Sequence, residues 1–215
     1  SFGRGGATQS LQDMANADCI IIQGSNMAEC HPVGFQWVVE ARARGAVVIH
    51  IDPRFTRTSA NCDKHIPIRA GSDVVLLGAL INHVLANELW FRDYVLAYTN
   101  AATLIDENYR DTEDLGGLFS GFDPDTGSYD RSSWAYATRG GVIQRDETLT
   151  DPRTVFQILK RHYARYTPEM VTEVCGISAD DFGYLARAAT ANSGRERTTC
   201  FAYAVGWTQH SFGAQ

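Results

Sequence analysis

The sequence predicts an α/β fold: an open, mostly parallel sheet of the dinucleotide-binding, Rossmann-like type, carrying an irregular, aromatic-rich insertion. Three observations predict it. Apolar, strand-like runs alternate with helical segments over residues 1–90, which is the pattern of βαβ units with right-handed crossovers. The apolar runs end in small or polar residues, as strands do when their carboxyl ends face a ligand crevice. Residues 100–150 abandon the alternation for Gly, Asp, Ser and aromatics.

The elements follow in order. "DCIIIQG" (18–24) is a buried strand. "PVGFQWVVEARARG" (32–45) is a helix: Pro32 suits its first turn, Phe35, Val38 and Val39 form a helical stripe, and Gly45 stands where a helix stops. "AVVIHID" (46–52) is the second strand. "TRTSANCD" (56–63) is a short helix and "HIPIRA" (65–70) a third strand. "DVVLLGALINHVLANEL" (73–89) is an apolar helix with Asp73 as its N-cap. The excursion at 100–150 has turn signals at Asp123-Pro124 and Thr126-Gly127, and it is too aromatic to be disordered. Helices return at 151–166 and 178–193, the latter with Ser178 and Asp181 as a capping-box start. "TTCFAYAVG" (198–206) is a last buried strand. On this reading 1–99 is the first part of the α/β domain, 100–150 an insertion, and 151–215 the return of the same domain.

Composition bounds the function. The chain has 215 residues, of which 44% are hydrophobic and 20% charged, as in ordinary globular proteins. A formal net charge of -6 argues against a nucleic-acid partner, and no apolar run is long enough to cross a membrane. Ser1 is not a start methionine, "SFGRGGATQS" has neither a charged nor an apolar leader region, and "GWTQHSFGAQ" stops just after a strand where a helix would follow, so an internal piece of a longer protein is expected. Five cysteines (19, 30, 62, 175 and 200) without close pairs make poor material for a disulfide framework. Cys62 and His65, joined by Cys30 and His31, are the nearest thing to a metal pattern, and they fall short of a zinc set.

The strand ends supply the candidate site. The first gives Gly24, Ser25, Asn26 and Glu29, the second Asp52 and Arg54, the third Gly71 and Asp73, the last Gly206, Trp207, Gln209 and His210. Gly24 lets a ligand approach the backbone. Asn26 and Glu29 offer acceptors. An acid at the end of the second strand is where such folds hold a ribose, and Asp52 stands there. Arg54 can fork onto phosphate or stack on a base. Asp73 can accept two donors from a guanine edge. Each residue also has a plain structural reading: Asp52 before proline as a turn, Asp73 as a cap, Gly-Ser-Asn as a connection. No nucleophile or acid–base pair accompanies them, so no catalytic residue and no metal ligand is assigned.

"GSNMAECHP", "IDPRFTRTSANCDKHIPIRAGSD" and "AYAVGWTQHSFGAQ", in this order, resemble the molybdopterin oxidoreductase family, and within it the catalytic alpha subunits of respiratory formate dehydrogenases. "HPVGFQW", "YTNAATLI", "GLFSGFDPDTGSYDRSSWAY" and "CGIS" extend the resemblance over nearly the whole chain. It implies molybdopterin guanine dinucleotide, two per parent enzyme, with molybdenum or tungsten. Gly24, Ser25, Asn26 and Glu29 would line the pterin and pyrophosphate, Asp52 and Arg54 the guanosine, Gly71 and Asp73 the guanine or its ribose. Gly206, Trp207, Gln209 and His210 would close over the pterin. It also implies formate as substrate, an iron–sulfur beta subunit as partner, and a periplasmic address. The metal ligand, the catalytic arginine and the [4Fe-4S] cysteines would lie outside this sequence, so the isolated chain is expected to show no formate oxidation and no stoichiometric metal. A nitrate reductase of the same family, or a non-catalytic nucleotide-binding domain, are the alternative readings.

Overall fold

The computed structural model describes residues 7–192 and 194–213; Ser193, read above as the last residue of a helix, lies outside the described residues. The chain forms two compact units, one of Ser1–Val84 with Tyr166–Gln215, the other of Leu85–Arg165. The excursion read at 100–150 thus falls inside a larger unit.

The first unit is built on one four-stranded sheet. Its strands are β1 (Cys19–Gln23), β2 (Val47–Ile51), β3 (Lys64–Ile66) and β8 (Thr199–Tyr203), in the spatial order β3-β2-β1-β8. Every pair is parallel, with Ile21 opposite Ile49 on one side and Phe201 on the other. Side chains alternate between the faces. Cys19 and Ile21 pack with Ile49, Ile66, Leu76 and Leu185 on one face. Ile20, Ile22 and Val48 pack with Phe35, Val38 and Ala41 on the other. Helix α2 (Pro32–Ala43) therefore covers one face, while α4 (Asp73–Ala86) and α8 (Ala179–Thr190) cover the opposite one. Both faces of β1 are dry, which is why its sequence is a continuous apolar run rather than an alternating one.

Several boundaries differ from the sequence reading, each for a physical reason. β3 ends at Ile66 because Pro67 has no N–H to continue the ladder; beyond it Ile68 is still buried and Arg69 N donates to Cys175 O at 2.9 Å. The last strand spans Thr199–Tyr203 rather than 198–206, and it is not buried: among the described residues it pairs with β1 alone, and Phe201 is 45% and Tyr203 55% exposed. Asp73 is the first residue inside α4 rather than its N-cap; Ser72 precedes it, its carbonyl accepting from Leu76 N and its hydroxyl donating to Arg69 O. The helix expected at 151–166 is α6 (Val155–Tyr163), whose start is fixed by Thr154 Oγ1 accepting from Gln157 N. At α8, Ser178 Oγ does accept from Asp181 N, but the Asp181 carboxylate pairs with Lys64 Nζ at 2.6 Å.

The second unit holds α5 (Arg92–Tyr98), α6 and two small antiparallel hairpins. Their strands are β4 (Phe122–Asp123) with β5 (Ser128–Tyr129) and β6 (Thr138–Arg139) with β7 (Val142–Ile143). Ring contacts give the segment its organisation: Trp134 meets Phe119 and Tyr129, and Tyr129 meets Phe122. Trp134 Nε1 donates to Ser120 O, and the Arg131 guanidinium lies over the indole. Arg161 forks onto Asp111 and Asp114.

Candidate cofactor-binding site

Two short segments complete the carboxyl edge of the sheet: α1 (Met27–Cys30) after β1, and α9 (Val205–Thr208) after β8. Gly24 directly follows β1 with φ +62, and its N–H donates to Ile51 O at the end of β2. Its carbonyl accepts from Gly206 N at 3.1 Å. A Cβ on Gly24 would stand 2.9 Å from Gly206 Cα. The glycine thus makes room for the backbone of the loop after β8. Gly71 differs: at φ +82 it has nothing within 4 Å of a would-be Cβ, and it leaves open space beside the start of α4.

The loop after β1 is braced from α3 (Arg57–Ala60) and from β2. Buried Thr58 accepts from Ala28 N through Oγ1 (3.0 Å) and donates to Asn26 Oδ1 (2.9 Å). Asn26 Nδ2 donates to Glu29 Oε2 at 2.6 Å, and Arg57 lies 3.6 Å from the same carboxylate. His50, 0% exposed, contacts Ser59 Oγ through Nδ1 (2.7 Å) and the carbonyl of Ser25 through Nε2 (3.2 Å). Burial lowers the His50 pKa below its ordinary 6.5; nearby Asp52 opposes that shift without reversing it. Asp52 directly follows β2, with Oδ1 accepting from Arg54 N and its carbonyl held by His65 Nε2. The Arg54 side chain is exposed.

A second cluster forms where β1, α4 and the last loop meet. Gln23, 1% exposed, donates from Nε2 to Asp73 Oδ1 at 2.7 Å. Asp73 Oδ2 lies 4.0 Å from His210 Nε2, which contacts Gly206 O at 2.8 Å. Trp207 stacks on Tyr203 with centroids 4.5 Å apart and planes 10° apart. Gln209 is exposed at the end of α9. Gln23 Oε1 and Trp207 Nε1 are buried without a hydrogen-bond partner, an expensive state for polar atoms.

All twelve residues expected from sequence therefore lie after the four parallel strands at one edge. Gln23, His50, Thr58 and Ser59 were missed, although Gln23 and His50 announce themselves as polar residues inside apolar runs. The Cys30, His31, Cys62 and His65 set does not assemble: Cys62 Sγ donates to Thr58 O, and burial pushes its thiol up to about 12. Among the described residues no group of three or more His, Cys, Asp or Glu converges on a point. The one hydroxyl–imidazole pair at this edge, Ser59 with His50, is buried away from the surface. The edge can bind and orient: it offers an open glycine turn, a carboxylate fixed by an amide, and unsatisfied buried polar atoms.

Residues 4–207 match the model of the molybdopterin oxidoreductase family. The chain belongs to that family. Over its full length it is 46% identical to the formate dehydrogenase 2 subunit alpha (cytochrome c-553) of Nitratidesulfovibrio vulgaris and 45% identical to the formate dehydrogenase-O major subunit of Escherichia coli. It spans 21% of the length of each. A stretch covering 44% of the chain is 39% identical to 14% of the F420-dependent formate dehydrogenase subunit alpha of Methanocaldococcus jannaschii. The acetylene hydratase from Pelobacter acetylenicus shares the fold, with TM-score 0.54 and 20% identity over 91% of this chain and 20% of its own. Membership of the molybdopterin oxidoreductase family implies a molybdopterin cofactor with molybdenum or tungsten. The open turn at Gly71, the Asp73 acceptor and the orphaned Gln23 and Trp207 atoms fit such a polar, heteroaromatic group.

Proposed function

We propose that this chain is part of the pocket that grips molybdopterin guanine dinucleotide in a formate dehydrogenase alpha subunit. The observation that carries the reading is the Gln23–Asp73–His210 cluster, set beside open Gly71 at the carboxyl edge of a parallel sheet. Residues 1–99 and 151–215 contribute to one cofactor-binding domain, and 100–150 is an insertion in it. The loop at Gly24, Ser25, Asn26 and Glu29 serves the pterin and pyrophosphate side, and Asp52 and Arg54 the guanosine. Gly206, Trp207, Gln209 and His210 close over the pterin. The parent reaction in this reading oxidises formate to carbon dioxide and a proton, with two electrons passed to iron–sulfur clusters and then to a beta subunit, in the periplasm.

When bound, the metal–pterin group supplies the two-electron chemistry. This chain's residues hold and orient it. Gln23 donates to Asp73 Oδ1, which fixes the carboxylate plane and leaves Oδ2 to accept from a guanine N–H. Asp73 is the first residue of a 14-residue helix and so stands at the positive end of the helix dipole. Trp207, stacked on Tyr203, presents its indole as a wall and keeps Nε1 for an acceptor.

The test is Asp73→Asn in the full-length enzyme. The substituted side chain can still turn its oxygen to Gln23, but its amide nitrogen then meets the guanine donors with a donor. Losing a charge-assisted bond weakens cofactor retention by about tenfold or more. Asparagine loses the charge at the start of α4, so the cofactor-free protein should be destabilised by no more than about 1 kcal/mol. Full occupancy in Asp73→Asn would overturn the reading.

A further inference from the structure

The hydrogen-bond inventory around His50 fixes its tautomer. Ser25 O is a carbonyl and can only accept, so Nε2 at 3.2 Å carries the proton. In the neutral ring Nδ1 then accepts, and Ser59 O–H at 2.7 Å donates to it. Ser59 Oγ in turn accepts from Thr56 N at 2.9 Å, which leaves its proton free to point at the imidazole. Among the described residues two other groups face the ring: Asp52 Oδ2 at 3.8 Å from Nε2 and the His65 ring at 5.8 Å between centroids.

The consequence lies one peptide further on. In a planar trans peptide the C=O of residue 25 and the N–H of residue 26 point in opposite directions. His50 lies fully buried in β2 and draws the Ser25 carbonyl inward. The Asn26 N–H is therefore turned away from the core, at the edge where the cofactor loop opens. We propose that His50, held as the Nε2–H tautomer by Ser59, is a positioning residue that sets the Ser25–Asn26 peptide plane and so presents the Asn26 amide to the cofactor. This rests on the cofactor-binding reading above. His50 touches no ligand itself; it acts through the backbone.

The experiment compares His50→Gln, His50→Asn and His50→Leu in the full-length enzyme, with Asp73→Asn alongside. The terminal amide of glutamine reaches the Nε2 position of histidine, and that of asparagine the Nδ1 position. Pterin and metal content per chain and the melting temperature of the cofactor-free protein are measured for each. The expected result is that His50→Gln retains cofactor near the wild-type level while His50→Asn and His50→Leu lose about fivefold in retention, the worth of one hydrogen bond. If His50 only fills space, occupancy follows the melting temperature and the two amides do not split in that order; that outcome overturns the proposal. Normal occupancy in all three His50 variants, with loss in Asp73→Asn, also overturns it and leaves the cofactor reading intact. Normal occupancy in Asp73→Asn too would bring down both.

Discussion

Replacing Gly206 by alanine puts the meeting of the first and last strand-end loops under direct load. A Cβ at 206 would stand 2.5 Å from Gly24 Cα, 2.6 Å from Gly24 O and 2.9 Å from Gly24 C. Carbon atoms rest at ~3.5–4.0 Å, so the overlap is close to 1 Å. All three atoms are backbone, and Gly24 is itself pinned by its bond to Ile51 O, so no rotamer change relieves the clash. The loops must part, which costs about 1–3 kcal/mol in strain. Parting also stretches the Gly206 N–Gly24 O bond, worth about 1 kcal/mol more. The sum, about 2–4 kcal/mol, moves a urea midpoint down by ~1–2 M at a slope of ~2 kcal/mol per M. Gly183→Ala is the matched control. Its Cβ would meet only the far end of the exposed Arg187 side chain, at 3.2 Å, in the interior of α8. Helix propensity then makes it stabilising by up to about 1 kcal/mol. A Gly206→Ala midpoint equal to or above wild type, with Gly183→Ala behaving as expected, would refute the close approach of the two loops.

Two further outcomes follow from the bracing of the first loop. Thr58→Val keeps the shape but removes the acceptor for Ala28 N and the donor to Asn26 Oδ1; it should cost about 1–3 kcal/mol in urea unfolding, whereas Thr58→Ser should cost less. The second concerns pH. Because burial lowers the native pKa of His50 below 6.5, the unfolded chain takes up a proton that the native state refuses. The stability tied to His50 is full above pH 6.5 and falls as the pH drops from there toward the lower native value. Between about pH 7.5 and about pH 5 the melting temperature of wild type should fall more steeply than that of His50→Gln; parallel profiles would contradict the buried neutral ring.

The sequence made β1, β2, α2 and α4 legible because each carries a long period-specific apolar pattern bounded by polar or turn residues. The strand-end residues were legible for the same reason: a strand's last apolar residue marks where an edge begins. The purpose of Gly24 was not, because it depends on β8 lying against β1, and strand order is set by pairing across the whole chain. Gln23 and His50 were visible as polar interruptions, but their partners Asp73, Ser25 and Ser59 come from other elements. The exposure of β8 was misread because its apolar residues resemble a central strand; among the described residues it has one neighbour, not two. In the second unit, short hairpins held by ring contacts give no periodicity to read.

The pairing of β1 with β8 also sets an order of events during folding. β1, β2 and β3 are joined by short crossovers and can assemble from neighbouring chain. β8 must return to β1 over a far greater distance, as in the bond from Thr198 N to Asp18 Oδ2, which links residues 180 positions apart. Closing so long a loop carries a large entropic cost and delays contacts of this kind relative to local ones. Gly206, Trp207 and His210 travel with β8, so they reach this edge later than the loop after β1 does. Until β8 pairs with β1, the edge carrying Asp73 and Gln23 lacks the loop that brings His210 beside Asp73.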